Sequence, residues 1–231
     1  MGLLILSWNI QQGGGSRHLK ILRAIEKENP HVLVFSEYRN NKNGETIKKA
    51  LHKMGYTHQI IPETTKQKNA VLLASKIDFM GSWFPHCDPT YPHSIVKAEF
   101  DSFELYGCYL PHKKRHVLVP FLQQEIERST KPSIIVGDLN IGINKVDQKG
   151  TSFWYQDELQ SLFDSGIKDA FRIIQGDVKE YSWYSHKGNG YRYDHTYVQD
   201  VLEDIVKDCY YLHSYREQKY ADHSPMILEI G

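Results

Sequence analysis

The sequence is poor in the features that mark several specialised classes of protein. It has only three cysteines in 231 residues, Cys87, Cys108 and Cys209. They are scattered and form no C-x-x-C pair, which argues against a disulfide framework and against a structural zinc site. We therefore expect buried, reduced thiols.

Long hydrophobic runs are also missing, since no segment approaches the ~20 apolar residues that span a bilayer. The apolar start, Leu3 to Leu6, has no basic region before it and is too short for the core of a signal peptide. It predicts a first β-strand instead. We expect a cytoplasmic protein that does not bind membranes.

Charge of one sign is not in excess, because 28 lysines and arginines balance 28 aspartates and glutamates. A polyanionic substrate would therefore need a local basic patch. No repeat of short period and no long Pro/Gly/Ser linker divides the chain. Length and composition predict a single globular domain over residues 1–231, with no obligate protein partner and a monomeric state.

Short apolar runs of β-strand length are what the sequence does contain. They lie at Leu3–Trp8, His31–Phe35, Ala70–Ala74, Ser94–Phe100, Phe103–Leu110, Ser133–Val136, Tyr191–Val198 and Met226–Ile230. Helical patterns separate several of them. These patterns lie at Leu19–Glu26 with Ser16 as the N-cap, at Ile47–Met54 before Gly55, at Val117–Ile126, and at Tyr155–Phe163 before Gly166.

Strands and helices alternate early in the chain, whereas its end is mostly strand. This order predicts an α/β protein, and it favours a four-layered α/β sandwich in which two mixed β-sheets pack face to face with helices outside. A plain three-layer α/β fold is the alternative.

Several predicted strands end abruptly in polar residues. Strand ends are where α/β folds place their sites, because the sheet aims these side chains into a shared crevice. The polar ends are Ser7-Trp8-Asn9, Phe35-Ser36-Glu37, Tyr109-Leu110-Pro111-His112 and Val136-Gly137-Asp138-Leu139-Asn140.

Four acids beside hydrophobic sequence, Glu37, Asp138, Asp194 and Asp222, extend this pattern. If they converge, their mutual repulsion and desolvation require a cation or protons. Carboxylate and amide oxygens without a Cys/His set favour Mg²⁺ or Mn²⁺ over zinc. Each acid taken alone could equally cap a helix or form an ion pair.

Six motifs resemble the endonuclease/exonuclease/phosphatase family and occur in its order along nearly the whole chain. The stretch Gly166–Arg172, followed by Tyr181–Ser185, is similar to the exonuclease III and abasic-site endonuclease branch. The six motifs are Trp8-Asn9, Ser36-Glu37, Gly137-Asp138-Leu139-Asn140, Ser182-Trp183, Arg192-Tyr193-Asp194 and Asp222-His223-Ser224-Pro225.

The resemblance implies a hydrolase that cuts phosphodiester bonds with Mg²⁺, for which Mn²⁺ could substitute. Glu37 would be the main metal ligand, with Asn9 and Asp138 beside it and Asp222 close to the metal. Asn9 also belongs to the implied catalytic set.

The same resemblance implies roles for the other catalytic residues. Asp138 and Asn140 would position the attacking water and a phosphate oxygen, and Tyr109 would contact the phosphate. His223 would act as general base or as electrostatic partner, oriented by Asp194.

Candidate substrate contacts come from two further segments. His112, Lys113, Lys114 and Arg115 form a basic run that would meet phosphates, or that would simply be a solvated surface. The resemblance places Trp183, Tyr191 and Tyr193, with Arg192 between the tyrosines, around a pocket for a flipped-out abasic sugar. Three departures put that specificity in question: the bulk of Tyr193, the short loop His186–Gly190, and His112 where the family has an amide.

Three functions remain open from the sequence. The first is a DNA nuclease of the repair type, acting as an endonuclease or an exonuclease. The second is a phosphodiesterase or phosphatase for a small molecule, nucleotide, lipid headgroup or RNA, which the zero net charge and short loop would suit. The third, a catalytically silent binding module, is disfavoured because every expected catalytic position holds a competent side chain.

Overall fold

Two six-stranded mixed β-sheets form the centre of the structure, a computed structural model that describes residues 2–88, 91–112 and 115–231. Within the first sheet only β1 and β2 run parallel, and the other pairs are antiparallel. Its strands, in chain order, are β1 (Leu3–Asn9), β2 (Val32–Tyr38), β3 (His58–Ile60), β4 (Ala70–Ser75), β13 (Val206–Tyr211) and β14 (Met226–Ile230); in space they follow the order β13-β14-β1-β2-β4-β3.

The second sheet has the same mixed character, with one parallel pair, β7 and β8. Its strands are β5 (Met80–Trp83), β6 (Ile95–Glu99), β7 (Glu104–Tyr109), β8 (Ser133–Asp138), β9 (Ile167–Asp169) and β12 (Asp194–Gln199), in the spatial order β5-β6-β7-β8-β12-β9. A small hairpin joins β10 (Trp183–Tyr184) to β11 (Gly190–Tyr191).

Helices pack on the outer faces of the two sheets, except that Ala170 and Phe171 of one short helix belong to the core between the sheets. The helices are α1 (His18–Glu28), α2 (Lys42–Lys53), α3 (Arg115–Arg128), α4 (Gln156–Asp164), α5 (Ala170–Gln175) and α6 (His213–Glu217), with 3₁₀ turns at Gln12–Arg17 and Asp200–Ile205.

Alternation along the strands explains the layers, because successive side chains of a strand point to opposite faces. On β2, Val34 packs between the two sheets, whereas Leu33 and Phe35 pack with residues of α1 and α2. On β8, Val136 packs between the sheets and Ile135 packs with residues of α3 and α4. Both faces of each sheet are therefore buried, which the near-continuous apolar runs required.

The predicted four-layered sandwich of two mixed sheets is confirmed, and the three-layer alternative is wrong. Some boundaries differ: α1 begins at His18 with Arg17 as its N-cap, so the prediction that Ser16 caps it is wrong. The predicted strand Tyr191–Val198 is broken, because Arg192 and Tyr193 lie between β11 and β12. Among the described residues, no helix is both long and apolar enough to cross a membrane.

Candidate active site

The predicted catalytic residues converge on one open cavity of about 250 Å³ at the ends of both sheets. Asn9 ends β1, Tyr109 ends β7 and Asp138 ends β8, while Glu37 lies next to the last residue of β2. The cavity itself is lined by Glu37, Tyr109, Pro111, His112, Asp138, Asn140, Trp183, Tyr193, Asp222 and His223.

Strand register brings three of these residues together. Asp138 is the parallel partner of Tyr109 and the antiparallel partner of Asp194. The two sheets are joined beside them by Ser36, whose hydroxyl donates to the carbonyl of Cys108 at 3.0 Å and accepts from the backbone N–H of Asp138 at 3.3 Å. This buried link fixes the position of Asp138 relative to the end of β2.

The backbone is unusual at three points of the site. Glu37 and Asn140 have positive φ angles of 57° and 50°, a conformation that costs side-chain-bearing residues energy and that concentrates at functional sites. Gly137 has φ 141°, and a Cβ there would lie 2.0 Å from the carbonyl oxygen of Cys108. Only glycine fits before Asp138, because β7 approaches so closely.

Asn9 joins two carboxylates. Its amide nitrogen donates to Asp138 Oδ2 at 2.8 Å and to Glu37 Oε1 at 3.3 Å, while its side-chain oxygen accepts the N–H of Gln11 at 2.9 Å. In this arrangement the Asn9 oxygen is turned toward the backbone and its amide nitrogen links the two acids, and its role as a metal ligand stays a prediction.

Glu37 is held from both of its oxygens. Oε2 accepts from the backbone N–H of Gln12 at 2.8 Å, and Oε1 faces the Tyr109 hydroxyl at 3.3 Å. Burial, followed by the charges of Glu37 and Asp138, raises the pKa of Tyr109 well above its usual range. Tyr109 therefore keeps its proton and remains a hydrogen-bond donor at neutral pH.

His223 and Asp194 form the predicted pair. Nδ1 of His223 lies 2.7 Å from Asp194 Oδ2, which leaves Nε2 as the remaining ring nitrogen. The buried indole of Trp8 donates to the His223 carbonyl at 3.0 Å and fixes the backbone. Burial disfavours the charged ring, but the charge and hydrogen bond of Asp194 outweigh burial and raise the pKa of His223 to about 10.

Asp138 is the acid with the strongest shift toward its neutral form. Burial first, and then the charges of Asp194 and Glu37, raise the pKa of Asp138 to about 8 against the opposing effect of His223. Asn9 and the backbone N–H of Asn140 at 3.1 Å provide its hydrogen bonds. If Glu37, Asp138 and Asp194 were all ionised, they would carry more negative charge than His223 neutralises.

The donor set fits a hard divalent cation. Glu37, Asp138 and Asp222 present carboxylates to the same cavity, and Asp222 Oδ1 is buried without a hydrogen-bond partner among the described residues. Asp138, Asp194 and His223 also bring one ligand atom each within 4.8 Å of the others. Asp194 Oδ1 is likewise buried without a hydrogen-bond partner among the described residues, so either set could hold the cation.

The predicted substrate-binding aromatics lie at the edge of this cavity. Trp183 donates from Nε1 to Asp222 Oδ2 at 3.3 Å, and its ring centroid lies 5.5 Å from that of Tyr193. Tyr191 stacks on Tyr193 at 5.1 Å, and His112 meets Tyr193 edge-on at 5.5 Å. The predicted contacts of Lys113, Lys114 and the Arg115 side chain lie outside the described residues.

Arg192 is a correction to the predicted substrate contacts. It is completely buried, and its Nε donates to Asp147 Oδ1 at 2.8 Å. Its two terminal nitrogens donate to Asp169, and the guanidinium lies over the ring of Phe171. With its charge fully paired in the interior, Arg192 cannot reach a substrate.

Sequence reasoning missed an aromatic cavity of about 300 Å³ beside the catalytic one. Phe153 and Trp154 contribute to it from the loop before α4, and the side chain of Trp154 is 65% exposed. No periodic pattern marks this loop; the adjacent bulky aromatics were the available signal. The cavity is lined by His112, Thr151, Ser152, Phe153, Trp154, Tyr191 and Tyr193.

Two proteins of known activity are similar to this chain in sequence. The chain is 25% identical over 234 residues to a DNA-(apurinic or apyrimidinic site) endonuclease of Dictyostelium discoideum, covering 88% of this chain and 64% of that protein. It is 22% identical over 143 residues to an exodeoxyribonuclease of Bacillus subtilis, covering 50% and 56%. The chain thus spans less than two thirds of either relative.

Solved structures share the fold over almost the whole chain. An AP endonuclease from Archaeoglobus fulgidus superposes with a TM-score of 0.85 at 19% identity, covering 99% of both chains. A 3′ phosphatase from Neisseria, bound to a product DNA hairpin, gives 0.83 at 19% identity with the same coverage. Residues 6–200 match the Endonuclease/Exonuclease/phosphatase family, and the chain belongs to that family.

Proposed function

We propose that this chain hydrolyses phosphodiester bonds of DNA with a divalent cation, Mg²⁺ by preference and Mn²⁺ as a substitute. The observation that carries the proposal is the convergence of Glu37, Asp138 and Asp222 with the Asp194–His223 pair on one cavity. Acids alone would repel an anionic substrate, so this set requires a cation between acids and phosphate.

A bound divalent cation would neutralise phosphate oxygens and polarise the phosphorus for attack. Glu37 and Asp138 would hold it, with Asp222 close by and Asn9 keeping the first two acids in place. Their oxygen atoms are the ligand type that Mg²⁺ selects.

The protein's own groups divide the remaining chemistry. His223 is paired through Nδ1 with Asp194, which raises the pKa of His223 in the metal-free protein and leaves Nε2 as the nitrogen available to the substrate. From Nε2 the ring would either donate to a phosphate oxygen or accept a proton from the attacking water. Tyr109 would donate from its neutral hydroxyl to the phosphate. Asp138 and Asn140 would orient the attacking water. Preorganised donors of this kind stabilise charge that develops in the transition state.

The aromatic cavity supports nucleic acid as the substrate. Trp154, which is 65% exposed, offers a ring face beside the catalytic cavity, and base stacking on such a ring contributes about 1–3 kcal/mol. A lipid headgroup would gain nothing comparable from it.

The ring spacing argues against a strong preference for abasic sites. Trp183 and Tyr193 have centroids 5.5 Å apart, whereas a sugar between them would need about 7 Å, twice the usual contact distance. We propose that unmodified strands are cut at least as well as abasic ones. The monomeric state, the single domain over residues 1–231 and the cytoplasmic location stay predictions.

The test compares three substrates with Mg²⁺ and with EDTA: duplex DNA, the same duplex with one abasic site, and bis-p-nitrophenyl phosphate. We expect metal-dependent cutting of both duplexes, without a large abasic preference. Binding should also weaken steeply with salt, because several phosphate contacts release counterions. Turnover of the small diester alone, with shallow salt dependence, would instead support a small-molecule phosphodiesterase.

A further inference from the structure

A basic cavity of about 400 Å³ adjoins the catalytic one on the side of Asp222, which lines both. Its lining brings together three cationic side chains from distant parts of the chain: Arg17 from the turn before α1, Arg216 from α6 and Lys219 just after it. Asp222 is the single acid in the lining among the residues that the structure describes. The cavity therefore has an excess of positive charge next to a site rich in negative charge.

The two arginines are fixed in place by neutral partners. Arg17 donates to the carbonyls of Tyr220 at 2.9 Å and Gln11 at 3.0 Å. Arg216 donates to the Tyr181 carbonyl at 2.7 Å, and its guanidinium lies 4.6 Å from the ring centroid of Tyr184. Carbonyls and rings orient a guanidinium without neutralising it, and each arginine has five N–H donors.

No carboxylate forms a direct ion pair with these three side chains among the described residues. Within residues 2–88, 91–112 and 115–231, none of Arg17, Arg216 and Lys219 forms an ion pair. Burial lowers the pKa of Arg216, and the charges of Tyr184, Glu217 and Asp194 oppose that effect without outweighing it. Oriented donors, excess positive charge and partial burial together describe an anion site.

We propose that Arg17, Arg216 and Lys219 form a second phosphate site that holds a phosphate group of the substrate strand adjacent to the one being cut. The inference rests on the proposed function, since it names a further contact of the same substrate. Continuity through Asp222 supports it, because one strand can occupy both cavities. The phosphate could be an internal one of the backbone or a terminal monoester.

The test measures binding of a short labelled single-stranded oligonucleotide at several salt concentrations, both in EDTA, where no metal-dependent cutting occurs, and in Ca²⁺, a hard cation that would fill the acidic site. Wild type should lose affinity with salt. Arg216→Gln and Lys219→Gln should each weaken binding about 10-fold and lower the salt slope by about 0.7, the value for one phosphate contact on a single strand. Arg216→Lys should keep most of the slope.

One control variant makes the result specific. Lys207→Gln removes an exposed lysine beside Val206, whose register partner is Ile230, at the end of β13 away from the site. It should bind as wild type does. Lys219 is exposed, and its side chain has no hydrogen bond within the described ranges, so Lys219→Gln tests the site without disturbing the fold.

Oligonucleotides with and without a terminal phosphate identify the source. If the variants weaken binding of both oligonucleotides, the site holds a backbone phosphate. If they weaken binding of the phosphorylated oligonucleotide alone, the site holds a terminal phosphate, and either result supports the proposal. Salt slopes equal to wild type for Arg216→Gln and Lys219→Gln would overturn it. Because the assay needs no catalysis, a protein that bound through these residues but cut no DNA would contradict only the proposed function.

Discussion

The two neighbours of Tyr193 in the sequence belong to two different buried clusters of charged side chains. Arg192 belongs to the first cluster and Asp194 to the second. In the first cluster Arg192 lies between Asp147 and Asp169, and Arg172 adds a second bond to Asp147 at 2.6 Å. Although burial opposes it, the charge of Arg192 holds the pKa of Asp147 well below its usual range. Each charged side chain named in this cluster is paired with a side chain of opposite charge.

The second cluster has the opposite electrostatic character. Asp138 faces Asp194 and Glu37, and His223 is the ring that pairs with Asp194 at 2.7 Å. Here the pKa of Asp138 is raised to about 8. The comparison shows that burial of acids alone does not identify a functional site. Acids that are ion-paired with arginine stabilise the fold, whereas acids that face each other need a bound cation.

Among substitutions in the second cluster, replacement of Glu37 should have the largest effect, a loss of catalytic rate. Glu37→Gln should lower turnover by about 10³-fold or more, because it removes a charge that would hold the metal, while the fold survives. The measurement is the cleavage rate against Mg²⁺ concentration, with thermal unfolding as the control. Wild-type activity at limiting Mg²⁺ would contradict the assignment.

His223 and Asp194 should behave as one unit. His223→Ala, Asp194→Ala and the double variant should each lose a similar amount of activity, about 10²–10⁴-fold, because either change removes the oriented, charged ring. Rates of DNA cleavage at saturating Mg²⁺ measure this. Losses that multiply in the double variant would show that the two residues act independently.

Breaking the first cluster should affect stability instead. Arg192→Leu leaves Asp147 and Asp169 without their main cation and should cost about 3–5 kcal/mol in the free energy of unfolding. Urea denaturation measures it. The control is Arg128→Leu, which removes an exposed ion pair with Glu125 and should cost about 1 kcal/mol or less. Equal costs for the two variants would contradict the structural role of Arg192.

The two raised pKa values give the metal-free protein a pH dependence. Between pH 6.5 and 8, folded His223 and Asp138 keep protons that the unfolded chain has released, so stability falls as pH rises. The slope is at most about 1.4 kcal/mol per pH unit for each proton. Thermal unfolding in EDTA measures it, and Asp138→Asn should flatten the slope. A stability that rises over this range would refute the shifts.

Substitution of Tyr193 should have the smallest effect, a change in the preference for abasic over unmodified DNA. Tyr193→Leu should open the space beside Trp183 and raise cleavage at an abasic site relative to unmodified DNA by about 10-fold. Relative kcat/KM on the two duplexes measures it. An unchanged ratio would mean that the ring spacing does not limit abasic recognition.

Much of the fold and of the site could be predicted from the sequence because both depend on local signals. Strands buried on both faces are nearly continuous apolar runs, and the polar residues that end them belong to the site. Glu37, Asp138 and His223 lie together as expected. Strand β13 was missed, because Val206–Tyr211 mixes charged and aromatic residues and lies at the edge of its sheet.

The remaining features depend on long-range pairing that no spacing reveals. Arg192 and Asp194 are two apart, which in an unbroken strand would give them one face, but the chain leaves β11 before Arg192 and enters β12 at Asp194. The arginine therefore finds Asp147 and Asp169 in the interior. The basic cavity likewise joins Arg17 to residues about 200 positions away.

The most direct test of the central claim is cleavage of a labelled, unmodified DNA duplex by the wild-type protein, measured with Mg²⁺ and with EDTA. The account predicts cutting with Mg²⁺ and none with EDTA, because the buried acids need the cation to accept a phosphate. Equal cutting in EDTA, or an intact duplex in both, would contradict it.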